Sequence, residues 1–169
     1  MSMFKAGTLF SLMLLSLALT GCVSIPKLMY NVPGNAPLSV TLRDGRQLQY
    51  MQYIPPNADT IKKMPLIILL HGSGEAGDDP YAVLANGPWH YAATHSDFPF
   101  IILGPQMPRD GEWRPDVLED WLKQVEKTVP VDRHRIYLTG LSRGGQGTWD
   151  FAMRYPHHFA AIAPMAGYS

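Results

Sequence analysis

The chain has 169 residues, 46% of them hydrophobic and 17% charged, which suits one globular domain with a substantial core. Its 14 basic and 14 acidic residues give a formal charge of zero, so the electrostatic footprint of a nucleic-acid binder is missing and no nucleic-acid partner is expected. A single cysteine excludes an intramolecular disulfide.

The N-terminus reads as a targeting segment. Lys5 precedes an apolar run from Leu9 to Leu19. At about 11 residues this run is shorter than the roughly 20 that span a bilayer, and it suits a signal-peptide core. It ends in Leu19-Thr20-Gly21-Cys22, small residues before the unique cysteine, which resembles the bacterial lipobox. That resemblance implies cleavage after residue 21 and acylation of Cys22, leaving the protein lipid-anchored in the cell envelope. Val23 after the cysteine favours the outer membrane, facing the periplasm. Residues 22–38, rich in Pro, Asn and Gly, read as a tether, and 39–169 as the domain.

The domain alternates strand and helix patterns. "LSVTL" and "RQLQYMQYI" flank Asp44-Gly45, a hairpin signal. "MPLIILLHG" is a continuous apolar run, as expected of a strand buried on both faces. "YAVLANGPWHYAATH" is a helix candidate interrupted by Gly87-Pro88, and "FPFIILGPQ" repeats the buried-strand pattern. "PDVLEDWLKQVEKTV" is the clearest helix. Val117, Leu118, Trp121, Leu122, Val125 and Val129 share one face, and Glu119 to Lys123 is a favourable i,i+4 pair. "RIYLTG" is the next strand, "GGQGTWDFAMRYP" the next helix with Trp149 expected in the core, and "FAAIAPMAG" a last buried strand. This order predicts a three-layer α/β sheet that opens with a hairpin and continues with parallel strands.

The chemistry falls at strand ends. Ser142 sits in Gly140-Leu-Ser142-Arg-Gly144, a strand-to-helix turn in which the flanking glycines remove colliding Cβ atoms. Such a turn presents the hydroxyl at a helix N-terminus, where positive potential favours an oxyanion. The other reading is a glycine-rich turn that merely closes helix against sheet. A second element, "IILLHGSGEAGDD", ends a buried strand in His71-Gly-Ser73-Gly. Backbone N–H groups of Arg143 and Ser73 are the candidate oxyanion donors. His71 is read as a brace for this loop, not as a base. Glu75, Asp78 and Asp79 read as an exposed acidic loop, with cation binding as the alternative. Trp113 either lines the pocket or simply packs. The Arg143 side chain is expected to point at solvent or substrate.

"HGSGEAGDD", "LGPQMPRDGEW" and "RIYLTGLSRGGQGTWDFAMRYPHHFAAIAPMAG", in that order, resemble the dienelactone-hydrolase, poly(hydroxybutyrate)-depolymerase and feruloyl-esterase-like group of α/β hydrolases. The subset most similar is labelled predicted peptidase, phospholipase or carboxylesterase. The resemblance implies an α/β-hydrolase sheet, ester hydrolysis through an acyl-serine on Ser142, and neither cofactor nor metal. It also implies the order Ser, then Asp or Glu, then His. After Ser142 the histidines are His157 and His158, at the far end of a helix and roughly 16 Å away at 1.5 Å per residue. There they are expected to cap or solvate the helix C-terminus. Asp150 lies on the same helix, and His90, His95 and His134 precede the serine without a catalytic placement. The acid and base are therefore expected to be missing from this chain, which reads as lacking the last strands and helices of the fold and as inactive in turnover. A short form completed by a partner subunit is one alternative. A binding lipoprotein that keeps the fold, or a peptidase of the same fold, are others.

Overall fold

The computed structural model describes residues 33–56, 58 and 62–167. The leader 1–21, Cys22 and the tether as far as residue 32 lie outside the described residues. Among the described residues no helix is long and apolar enough to cross a membrane.

β1 (Asn35–Thr41) and β2 (Gln47–Tyr53) form the expected antiparallel hairpin. Gly45 turns the chain at φ 86°, which glycine adopts without a Cβ penalty. β1 starts at Asn35, inside the segment read as tether. It carries Pro37, which an edge strand tolerates because one side of its backbone needs no partner.

β3 (Met64–Leu70), β4 (Ile101–Pro105), β5 (Val131–Leu141) and β6 (Ala161–Met165) complete one six-stranded sheet of order β1-β2-β4-β3-β5-β6. β2 meets β4 antiparallel, and β4, β3, β5 and β6 run parallel. Strand alternation divides the core in two. Leu66, Ile68 and Leu70 join Leu138, Trp121 and Phe151 on the face covered by α2 (Pro115–Val125) and α3 (Arg143–Arg154). Leu69 packs on the other face with Val83, Leu84, Trp89 and Ile102. That second cover is made by α1 (Trp89–Thr94) and a 3₁₀ segment, Pro80–Ala85.

The helix candidate across Tyr81 to His95 is broken at Gly87-Pro88 as expected: Gly87 takes φ 87°, and a Cβ there would meet Leu69 Cδ2 at 2.5 Å. Two expectations need correction. The last strand is not buried. Ala161, Ala163 and Met165 are exposed, since among the described residues β5 is the only strand beside β6. Trp149 is not core either: at 44% exposure it stands on the solvent side of α3, while Thr148, Phe151 and Ala152 face inward.

Candidate active site

β3 and β5 are parallel neighbours, with Leu70 opposite Gly140, so their C-terminal ends open side by side. The two loops singled out in the sequence therefore meet. Between β5 and α3, Ser142 adopts φ 55° and ψ −116°, a strained backbone for a non-glycine residue. Its N–H donates to Met165 O at 2.9 Å, and its C=O accepts from Gln146 N–H at 3.1 Å. The residue is exposed at the mouth of the turn.

Both elbow glycines are dictated by close approach. A Cβ on Gly140 would overlap the carbonyl of Gly144, and a Cβ on Gly144 would overlap the carbonyl of Leu70. The start of α3 is thus pressed against the end of β3. As the first residue of α3, Arg143 has an N–H with no acceptor inside the helix. Ser73 opens the 3₁₀ turn Ser73–Glu75 beside it and is exposed.

His71 is 2% exposed and fully committed. Its Nε2 accepts the Met107 N–H at 3.1 Å, so Nδ1 carries the proton and donates to Gly72 O at 2.7 Å. Burial pushes its pKa below the ordinary value, against the opposing influence of the Gly72 bond and Glu75; Arg143 adds to the lowering. The side chain of a residue held this way fixes the loop and has no nitrogen left to serve Ser142.

Trp113 both packs and lines the cleft, so neither reading of it alone suffices. Its Nε1–H donates to His71 O at 3.1 Å and its ring meets the His71 ring edge-on at 4.8 Å. Gly147 lies flat against it, where a Cβ would meet Trp113 Cβ at 2.5 Å. The Arg109–Trp113 loop and the first turns of α3 line an open cleft of about 600 Å³, with Arg109, Glu112, Trp113, Arg143, Gln146 and Asp150 on its walls; it begins at Arg143, the residue after Ser142. The Arg143 guanidinium donates to Gly111 O at 3.0 Å, so it braces the cleft wall instead of reaching freely into solvent.

Sequence reasoning passed over two braces. Gln106 Nε2 donates to the carbonyls of Glu75 and Gly77, at 2.8 and 3.0 Å. Asn86 Nδ2 donates to Glu75 Oε1 at 2.7 Å. Asp79, by contrast, caps the 3₁₀ segment by accepting the Tyr81 N–H at 2.9 Å. The acidic loop is therefore divided between separate tasks, and among the described residues no group of three or more His, Cys, Asp or Glu is arranged to hold a metal.

The remaining histidines and Asp150 are engaged or lie on other elements. His158 Nε2 lies 2.6 Å from Glu119 Oε2, close but poorly angled for a hydrogen bond, which ties the end of α3 to α2 and replaces the expected solvent-facing cap. His157 is exposed in the same turn, His90 and His95 lie on or just after α1, and His134 is on the first half of β5. Asp150 accepts from Gln146 Nε2 at 3.0 Å.

No protein-family model matches the chain. A curated relative, the bifunctional acetylxylan esterase/xylanase of Neocallimastix patriciarum, is 27% identical over 126 residues, 68% of this chain and 17% of that protein. A solved thermostable esterase superposes with a TM-score of 0.70 at 27% identity, over 80% of this chain and 41% of that one. The S-formylglutathione hydrolase of Staphylococcus aureus gives 0.66 at 18% identity, over 79% of this chain and 58% of its own. The chain therefore spans less than two thirds of the length of each. It has the α/β-hydrolase fold, and the proteins it resembles include esterases.

Proposed function

We propose that the chain carries the nucleophile of a serine hydrolase acting on carboxylic esters. Ser142 attacks the ester carbonyl, and the backbone N–H groups of Arg143 and Ser73 receive the charge that develops on its oxygen. Collapse of the tetrahedral species expels the alcohol and leaves an acyl-serine, which water then releases as the carboxylic acid. No cofactor or metal takes part in that sequence. The observation that carries this reading is the strained Ser142 backbone, φ 55° and ψ −116°, at the β5–α3 junction against the His71–Glu75 loop. Strain at one exposed serine, enforced by two glycines that admit no Cβ, is costly unless the hydroxyl is used.

Efficient turnover also needs a base to take the serine proton and an acid to orient that base. No described histidine is placed to act as that base, so this chain by itself is expected to fall about 10⁶-fold short of a complete triad. The experiment is labelling with a fluorophosphonate probe, expected on Ser142 and lost in Ser142→Ala. A p-nitrophenyl ester assay accompanies it. Robust turnover abolished by Ser142→Ala would show a working base and overturn the inactive part of the proposal. Absence of labelling would favour a binding protein that keeps the fold.

The esterase names of the relatives support an ester over an amide as the bond cleaved. We also propose that Cys22 is acylated and that the domain is held at the bacterial envelope, at the outer membrane facing the periplasm. The support is the apolar run and the small residues before the unique cysteine. Mass spectrometry of the N-terminal peptide tests it, because the added mass must disappear in Cys22→Ala.

A further inference from the structure

Glu75 is half-buried at the end of the Ser73–Glu75 turn, and it is held from two sides. Asn86 fixes Oε1, and Gln106 fixes the backbone carbonyl. The other carboxylate oxygen, Oε2, faces the nucleophile across Gly72. One point in space, where an alanine at position 72 would place its Cβ, lies 3.2 Å from Glu75 Oε2 and 3.6 Å from Ser142 Cβ. Asn86 is a neutral partner for this carboxylate, and Arg43, Arg46, Arg114, Lys123, Arg133 and Arg135 pair with other acids.

Other charged or titratable groups share the neighbourhood, and the test below therefore reads the change in potential on replacing Glu75 alone. The Arg143 guanidinium donates to Gly111 O in the cleft wall and keeps its positive charge there. His71 is held neutral, with Nδ1–H donated and Nε2 accepting. Arg109 lies by Gly77, where a Cβ would stand 3.7 Å from its Nη2. The partial positive charge at the start of α3 is shared by any substrate oxygen seated there, so it stabilises the reacting carbonyl without distinguishing one substituent from another.

We propose that Glu75 is a specificity-determining residue of the Ser142 site. Its charge favours esters with a cationic or hydrogen-bond-donating group beside the reacting carbonyl, and it disfavours esters carrying a carboxylate there. The proposal rests on the reading of Ser142 as nucleophile. Two carboxylates brought this close in a partly desolvated loop repel each other, whereas an ammonium or hydroxyl is attracted.

The test reads the potential at position 142 without needing catalysis. In the full chain carrying Cys22→Ala and Ser142→Cys, the engineered thiol is the only one present. Its modification rates are compared for a trimethylammonium, a sulfonate and an uncharged methyl methanethiosulfonate. The cationic-to-anionic rate ratio, normalised to free cysteine, is expected to drop about tenfold on adding Glu75→Gln, a size that follows from one unit charge at this range. Glu75→Lys should invert the ratio. Because the ratio is internal, a change in access common to all three reagents cancels. A ratio unmoved by Glu75→Gln and Glu75→Lys overturns the proposal. If the ratio moves but the unsubstituted chain is not labelled on Ser142 by a fluorophosphonate, the ester reading fails, and the substrate preference fails with it.

Discussion

His71 accepts the backbone N–H of Met107 through Nε2 at 3.1 Å, joining the end of β3 to the chain just beyond β4. Because that nitrogen must stay unprotonated, the native state requires neutral imidazole, and burial lowers the His71 pKa accordingly. The unfolded chain binds the proton more readily, at the ordinary pKa of about 6.5. Stability from this group is therefore complete above about pH 6.5 and is lost as pH falls below it towards the depressed folded value. Urea unfolding at pH 7.5 and 5.5 should show a drop in stability that shrinks in His71→Gln. Equal drops in the two proteins would show that His71 does not gate the acid response.

The contact between Gly144 and Leu70 sets a second expectation. Gly144→Ala places a methyl group inside the Leu70 carbonyl, and a backbone atom cannot yield as a flexible side chain does. We expect a loss of more than about 4 kcal/mol, the range reserved for overpacking a rigid site. Gly74→Ala is the control, since nothing lies within 4 Å of its added Cβ. Comparable denaturation midpoints for the two variants would refute the argument.

What was legible in the sequence is what local spacing encodes. Asp44-Gly45 marked the hairpin, the apolar runs marked β3 and β4, and two glycines around Ser142 marked the turn with its close approach. Pairings between distant elements leave no local trace. Nothing near Trp113 announces that its indole will donate to His71, and nothing near Glu75 announces Asn86. Trp149 failed for another reason: hydrophobicity outweighed period. Gly144, Gly145, Thr148, Phe151 and Ala152 define the buried stripe of α3 at helical spacing, and Trp149 falls outside it. β6 carries a buried-strand composition, yet burial also needs neighbours, and the described residues supply only β5 beside it.

Glu119 couples the two helices on one face of the sheet. It is nearly buried, pairs with Lys123 on its own helix, and meets His158 at 2.6 Å across the gap to the end of α3. Lys123 is largely exposed, so its pair contributes little. The contact with His158 is the sheltered one. A double-mutant cycle of Glu119→Gln and His158→Ala should give a coupling of about 1 kcal/mol. The cycle of Glu119→Gln with Lys123→Ala should give a few tenths at most. Reversed magnitudes would mean that the α2–α3 contact is incidental.

Ser142 provides the sharpest separation of function from stability. Its φ of 55° with ψ −116° costs a residue bearing a Cβ about 1–3 kcal/mol, whereas glycine reaches such angles freely. Ser142→Ala removes the hydroxyl but keeps the strain, so its stability should match that of the unsubstituted chain. Ser142→Gly relieves the strain, less the larger entropy that glycine has in the unfolded chain, for a net gain of about 1 kcal/mol. Both variants must lose fluorophosphonate labelling, yet only the glycine should unfold at higher urea. Ordinary packing residues do not behave this way, because truncating them weakens the fold. A serine whose replacement by glycine strengthens the domain while ending its reactivity is one whose conformation is maintained for chemistry.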